Sequence, residues 1–296
     1  MCGIVGLFLK KDELRPQLGD MLTDMLITMT DRGPDSAGIA IYGDEADGFV
    51  KITVQSDSPE QAFAELDGAL TSVIHAPVTM RVVDTHAVLI VPAEVEDKAI
   101  TALEEKGLRI MGSGTSMEIY KEVGLPKDVA ARFGLRDMGG SHGIGHTRTA
   151  TESAVTTMGA HPFSTADDQC LVHNGSLSNH NQMRRKLAKK GVLTRSENDT
   201  EVGAAYISSR IADGASLGEA LEGTIEDLDG FFTFVTGTKN GFGVVRDPIA
   251  CKPAVMAETE DYVAFASEYR AFADLPGIED AKVWEPEPAT VYFWER

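Results

Sequence analysis

Apolar and polar positions alternate or recur along most of this chain, and their periods divide it into elements. The opening run Gly3-Ile4-Val5-Gly6-Leu7-Phe8-Leu9 is almost wholly apolar and predicts a strand buried on both faces. Leu18, Met21, Leu22, Met25, Leu26 and Met29 then recur at three-and-four spacing, the stripe of one helix face turned to a core. Residues 37–43 and 49–55 alternate and are rich in β-branched side chains, which predicts a hairpin around the acidic turn between Gly43 and Gly48. Ser58-Pro59-Glu60-Gln61 has the residues of a capped helix start. Residues 85–92, 94–107 and 108–114 read as strand, helix and strand, and the stretch from about 57 to 140 is expected to form an inserted α+β module, a candidate surface for a partner. Beyond it come a strand over 168–177, helices over 179–190 and 199–213, and short strands at hairpin spacing in the last third. Strands at both ends with helices between them imply an α+β layered fold rather than an alternating parallel sheet.

Composition narrows the function classes. The chain has 296 residues, of which 43% are hydrophobic, and its 46 acidic and 27 basic side chains leave a net charge of −19. That profile excludes a disordered or collagen-like chain, and the acidic excess excludes a nonspecific nucleic-acid binder, which needs Lys and Arg to neutralise phosphates. No apolar run approaches the roughly 18–20 residues that span a bilayer, so no membrane role is expected. The cysteines Cys2, Cys170 and Cys251 are too few and too scattered for a disulfide framework or a metal knuckle, and both later ones read as structural strand residues. With no basic segment leading into an apolar one at the start, the expected compartment is the cytoplasm.

The chemistry concentrates in a few short motifs. Cys2 follows the initiator Met1, whose removal would leave a thiol and a free α-amine on one residue. An α-amine has a pKa of about 7.7–8.0, so at neutral pH it serves as a general base for the neighbouring thiol. Taken alone, Cys2 also reads as a small buried residue opening a strand. Residues 31–38, Asp-Arg-Gly-Pro-Asp-Ser-Ala-Gly, place Arg32 in a turn after a helix. Residues 145–151, Gly-His-Thr-Arg-Thr-Ala-Thr, bring Arg148 together with hydroxyls, and residues 173–175, His-Asn-Gly, offer an amide and a backbone N–H that suit an oxyanion hole. Residues 197–201, Glu-Asn-Asp-Thr-Glu, offer Asp199 at a helix start. Plainer readings stand beside these: Arg32 as an ion-pair partner of Asp35 or Asp199, Asn174-Gly175 as a hairpin turn, and His146 and His173 as core histidines.

In this order, with Arg246-Asp247-Pro248 and Ala266-Ser267-Glu268, the motifs resemble the class II glutamine amidotransferases, whose nucleophile is an N-terminal cysteine. The resemblance implies a single glutaminase domain over 2–296 with an αββα sandwich, two antiparallel sheets between helical layers, interrupted by the module at 57–140. It implies that the Cys2 thiolate attacks the side-chain amide of glutamine, with Asn174 and the Gly175 N–H holding the oxyanion. Arg148 would clamp the substrate carboxylate and Asp199 its ammonium, with Arg32 and Thr151 shaping the pocket. His161 matches a family position without a derivable role. Thr149 and Glu152 stand where glucosamine-6-phosphate synthase-like sequences tend to have Trp and His. The chain looks most like the stand-alone glutaminase subunit of glutamate synthase-like and N-methylglutamate synthase systems. That likeness implies ammonia delivery to synthase partners, with FMN and an iron–sulfur centre on one partner subunit, a glycine-repeat β-helix on another, and no cofactor on this chain. Two other readings remain: an N-terminal-nucleophile amidase for another amide, and an idle regulatory subunit.

Overall fold

The computed structural model describes residues 2–150 and 154–296. In chain order the first half contains β1 (Gly3–Leu9), α1 (Leu18–Thr28), β2 (Ser36–Tyr42), β3 (Phe49–Gln55), α2 (Pro59–Ala62), α3 (Leu66–Ile74), β4 (Thr79–Val83), β5 (His86–Pro92), α4 (Glu96–Glu105), β6 (Arg109–Gly114), β7 (Met117–Val123), α5 (Pro126–Phe133) and β8 (His142–Arg148). The second half contains β9 (Phe163–Ala166), β10 (Gln169–Leu177), α6 (His180–Lys189), α7 (Asp199–Ala212), α8 (Leu217–Asp227), β11 (Gly230–Gly237), β12 (Gly241–Arg246), β13 (Val255–Glu258), β14 (Tyr262–Ala266), β15 (Lys282–Trp284) and β16 (Val291–Glu295).

Two of the three sheets lie face to face. A seven-stranded sheet, β15-β13-β14-β1-β8-β2-β7, covers a five-stranded sheet, β16-β12-β11-β10-β9, and the pairings within both are antiparallel. Strand β1 is buried at every position because each face meets apolar side chains. Ile4 and Phe8 point into the inter-sheet core with Val172, Val235 and Phe242, while Val5, Leu7 and Leu9 pack outward with Leu22, Met25 and Leu26 of α1. On the far face of the second sheet, Leu171 and Phe234 pack with Val202, Tyr206 and Leu221 of α7 and α8. The result is the αββα layering of an α+β sandwich, and the methionine stripe of α1 is core.

The third sheet, β4-β5-β3-β6, has its own core, Ile52, Val54, Leu70, Leu89 and Leu103 among others. It corrects the expected hairpin: β2 pairs with β7 and β8, while β3 pairs with β5 and β6. Alternation identifies both strands but carries no information about their partners. The small sheet spans residues 49–114, whereas β7 and α5, read from sequence as part of the inserted module, join the large sheet through Tyr120, Val129 and Phe133. Ser58 makes no capping bond, Pro59–Ala62 is a single turn, and the longer helix starts at Leu66. Cys170 is buried in β10, but Cys251 is exposed outside any strand. Among the described residues, no helix is long and apolar enough to cross a membrane.

Candidate active site

Cys2 sits half-buried just before β1, where the two facing sheets bring side chains toward its backbone. Asn174 Nδ2, from β10 of the second sheet, donates to the Cys2 carbonyl oxygen at 3.3 Å. Arg32 Nε donates to the same oxygen at 2.9 Å. Ser267 fixes the strand two residues further on, since its Oγ accepts from the Ile4 N–H at 2.9 Å. The start of β1 is thereby held from three directions, and the pairing Gly3↔Thr147 aligns it with the end of β8, which carries Arg148.

Arg32 is 8% exposed, and its ion-pair partner is Glu268 at 3.0 Å, a correction to the Asp35 or Asp199 suggested by sequence. Partial burial raises the Glu268 pKa, but hydrogen bonds from Arg32 and Arg270 outweigh it and hold the carboxyl below its ordinary value. The second terminal nitrogen of Arg32, Nη2, is buried and has no hydrogen-bond partner among the described residues. The turn bearing Arg32 is stitched to the end of β8. Asp35 N donates to the Arg148 carbonyl oxygen at 3.1 Å, Ala150 N donates to Asp35 Oδ2 at 2.9 Å, and Thr149 Oγ1 donates to the Arg32 carbonyl oxygen at 2.6 Å.

Gly33 makes that contact sterically possible. A Cβ there would lie 2.3 Å from the Thr147 carbonyl carbon and 2.4 Å from Arg148 N, so neither side could give way without moving backbone. Gly33→Ala is expected to cost about 1–3 kcal/mol, the range for overpacking. Urea denaturation checks this, and an unchanged midpoint would show that the turn relaxes without strain.

Asn174 and Gly175 lie inside β10, not at a hairpin turn: they pair with Thr233 and Phe232 of β11. Asn174 is 3% exposed, and Gly175 adopts φ 149°, where a Cβ would lie 1.9 Å from the Phe231 carbonyl oxygen. Only glycine fits this path. Asp247, fully buried, accepts from the Phe232 N–H at 3.0 Å, so the Arg246-Asp247-Pro248 motif braces the strand beside the glycine.

Asp199 opens α7 directly after the cap Asn198, whose side chain accepts from Thr200 N at 2.8 Å. A carboxylate is favourable at this end of a helix. Its Oδ2 accepts from Leu177 N at 2.9 Å, tying the helix start to the end of β10, and its Oδ1 lies 3.8 Å from His173 Nδ1. Arg148 is 8% exposed, with Nη1 3.5 Å from the Ala154 carbonyl oxygen. Thr151 and Glu152, like Met1, lie outside the described residues.

Histidines surround this cluster. His146, His161 and His173 are buried, and burial pushes the first down to about 3, the second well below its ordinary value and the third to about 4, so all are neutral at pH 7. His146 and His173 are therefore core histidines, as one sequence reading has it, but His173 is hydrogen-bonded to Thr200, which also bonds His161, and His146 stacks on His161. Thr200, Glu268 and Ser267 carry no candidate role in the sequence reading. Glu268 and Ser267 belong to a quoted motif, while the place of Thr200 depends on contacts between distant segments.

A family model described as a glutamine amidotransferase domain matches residues 146–274. The glutamine amidotransferase-like protein GlxB of Rhizobium meliloti (strain 1021) is 65% identical over 297 aligned residues, covering all of this chain and 98% of that protein. The chain belongs to the glutamine amidotransferase family. An amidophosphoribosyltransferase from Methanocaldococcus jannaschii is 30% identical over 181 residues, 59% of this chain and 38% of its own length. Among solved structures, the glutamine phosphoribosylpyrophosphate amidotransferase of B. subtilis superposes with a TM-score of 0.64 at 19% identity, covering 99% of this amidotransferase chain and 47% of that one. The likeness confirms the α+β fold with antiparallel sheets. This amidotransferase chain spans about half the length of that structure.

Proposed function

We propose that this amidotransferase hydrolyses glutamine through Cys2 once Met1 is removed. The α-amine of Cys2 accepts the thiol proton, and the thiolate attacks the side-chain amide carbon, forming a C–S bond. The developing oxyanion takes hydrogen bonds from Asn174 Nδ2 and the Gly175 N–H. The intermediate collapses, the C–N bond breaks, and the proton held by the amine leaves with ammonia. Water, deprotonated by the same amine, then cleaves the thioester and releases glutamate. Arg148 suits the substrate carboxylate because its guanidinium presents paired donors, and Asp199 suits the ammonium. Arg32 holds the Cys2 backbone in place, and Thr151 belongs to the pocket in this reading.

The observation that carries the reading is the meeting of Asn174 and Arg32 on the Cys2 carbonyl oxygen, which brings the oxyanion amide of one sheet to the nucleophile of the other. An amidase for amides without an amino-acid head would have no use for Arg148 and Asp199. Ammonia at neutral pH is mostly protonated and non-nucleophilic, so a synthase partner is expected to receive it. We place this chain with the glutaminase subunits of glutamate synthase-like and N-methylglutamate synthase systems, in which FMN and iron–sulfur chemistry belongs to other chains.

The test is the intact mass of the purified chain before and after reaction with diazo-oxo-norleucine, a diazo-ketone analogue of glutamine. A chain lacking Met1 is expected to gain one adduct, mapped to Cys2, and Cys2→Ala none. No adduct on a processed chain, with candidate synthase subunits present, would favour the idle-subunit reading.

A further inference from the structure

Two of the buried histidines converge on one hydroxyl. Thr200 Oγ1 lies 2.8 Å from His161 Nε2 and 3.0 Å from His173 Nδ1. His146 stacks on His161 with ring centroids 4.0 Å apart, and its Nε2–H donates to the His173 carbonyl oxygen at 3.1 Å. The four residues come from β8, the segment before β9, β10 and α7, and three of these elements carry Arg148, Asn174–Gly175 and Asp199. From β7, the buried Lys121 Nζ donates to the carbonyl oxygens of Ala160 and Pro162, at 2.8 and 3.1 Å, and so holds the chain on both sides of His161.

The hydroxyl has one proton. Facing two imidazole nitrogens, it donates to one and accepts from the other, because two bare or two protonated nitrogens would leave an unsatisfied contact in the core. The neutral rings are thereby locked to one another: His161 and His173 carry their protons either both on Nδ1 or both on Nε2. The Asp199 carboxylate, 3.8 Å from His173 Nδ1, attracts a proton on that nitrogen and selects the first arrangement. His173 Nδ1–H then donates to Thr200 Oγ1, and the Thr200 O–H donates to His161 Nε2.

We propose that Thr200 is a positioning residue of the glutamine site: its hydroxyl takes the His173 Nδ1–H and so fixes the imidazole whose Nδ1 lies 3.8 Å from the Asp199 carboxylate, holding that carboxylate in place. This rests on the assignment of Asp199 to the substrate ammonium. One carboxylate oxygen is held by the Leu177 N–H and the other faces His173, so the rotamer is constrained from two sides.

Thr200→Val keeps the shape and removes the hydroxyl, and Thr200→Ser keeps the hydroxyl. Each is compared with the unaltered chain in labelling by diazo-oxo-norleucine over a concentration series, alongside iodoacetamide alkylation read at the Cys2 peptide, apart from the exposed Cys251; that alkylation needs the Cys2 thiol but no glutamine pocket. Thr200→Val is expected to raise the half-saturating analogue concentration about tenfold, the loss of roughly one hydrogen bond. The maximal labelling rate and the iodoacetamide rate stay within about threefold, and Thr200→Ser returns to within about threefold of the unaltered chain. Nitrogen-resolved NMR of the unaltered chain is expected to show His161 and His173 both protonated on Nδ1. Unaltered half-saturation in Thr200→Val, equal weakening in Thr200→Ser, or a proton on Nε2 of either ring would each overturn the proposal. The NMR result decides even where the valine variant does not fold. An unaltered chain that iodoacetamide alkylates at Cys2 but the analogue does not label would instead overturn the glutaminase reading, and this proposal with it.

Discussion

Lowering the pH from 7 to 5 is expected to remove several kcal/mol from the stability of this chain and to lower its unfolding temperature by about 10 °C or more. The cause is its buried histidines. Burial pushes His86, His142 and His146 down from 6.5 to about 3 and His173 to about 4, and lowers His161 well below 6.5. Below pH 6.5 the unfolded chain binds protons that the folded rings refuse, so stability falls with pH until the folded values are reached. At pH 5 each of His86, His142, His146 and His173 contributes a loss of about 2 kcal/mol, and His161 acts in the same direction. The four together are comparable to the roughly 5–15 kcal/mol that holds a typical domain folded.

Two groups modify this balance with opposite signs. Glu96 is pushed up from 4.5 to about 7 by burial and the neighbouring Asp167, so it stabilises the fold as pH falls, and its partial exposure keeps that gain smaller than the loss from one ring. Lys121 is pushed down from 10.5 to about 7 by burial, so its neutral form adds stability as pH rises above 7. The optimum therefore lies on the alkaline side. Thermal unfolding followed by circular dichroism from pH 5 to 9 checks it, and a midpoint unchanged between pH 7 and 5 would mean that the rings are hydrated or paired in solution.

Asn174→Ala is expected to lower kcat for glutamine hydrolysis about 100–1000-fold, or roughly 3–4 kcal/mol, while KM changes little. In the free chain the amide is tethered to the Cys2 carbonyl oxygen by a long 3.3 Å bond. Such a donor is already desolvated and aimed, so it can turn to an oxyanion without first being stripped of water. Because the stronger bond forms only as charge develops, its loss falls on kcat rather than on binding. Steady-state glutaminase kinetics in the presence of the synthase partner would read the split. A large rise in KM with unchanged kcat would move Asn174 from the oxyanion to substrate binding.

Much of the layered fold was legible because the apolar run of β1, the stripe of α1 and the short C-terminal strands each have the period of their element. Partnership was not. Strand β2 looks like half of a local hairpin, yet its pairing strands come from residues 117–123 and 142–148. The candidate site divides in the same way. Cys2, Asn174, Gly175, Arg148 and Asp199 stand out as residue types suited to amide chemistry, whereas the bond between Arg32 and Glu268 joins residues 236 positions apart. His161 had no legible role because its partner, Thr200, is 39 residues away on another element.

The pairing of β2 with β7 makes the small sheet detachable in principle. Tyr42 lies opposite Met117, so the entire segment between them occupies the place of a hairpin turn. Evolution or a protein engineer could lengthen, exchange or trim it without rethreading the sandwich. Several anchors would have to be replaced: Val88 and Met111 pack into the sandwich cores, Arg81 pairs with Glu118 and Glu104 with Arg195, and Asp168 is buried and accepts from Thr115, Ser116 and Met117 where that segment returns. A short connecting loop that preserved those three N–H donors would spare this carboxylate from being stranded, and the same junction would accept a fluorescent reporter or an affinity handle.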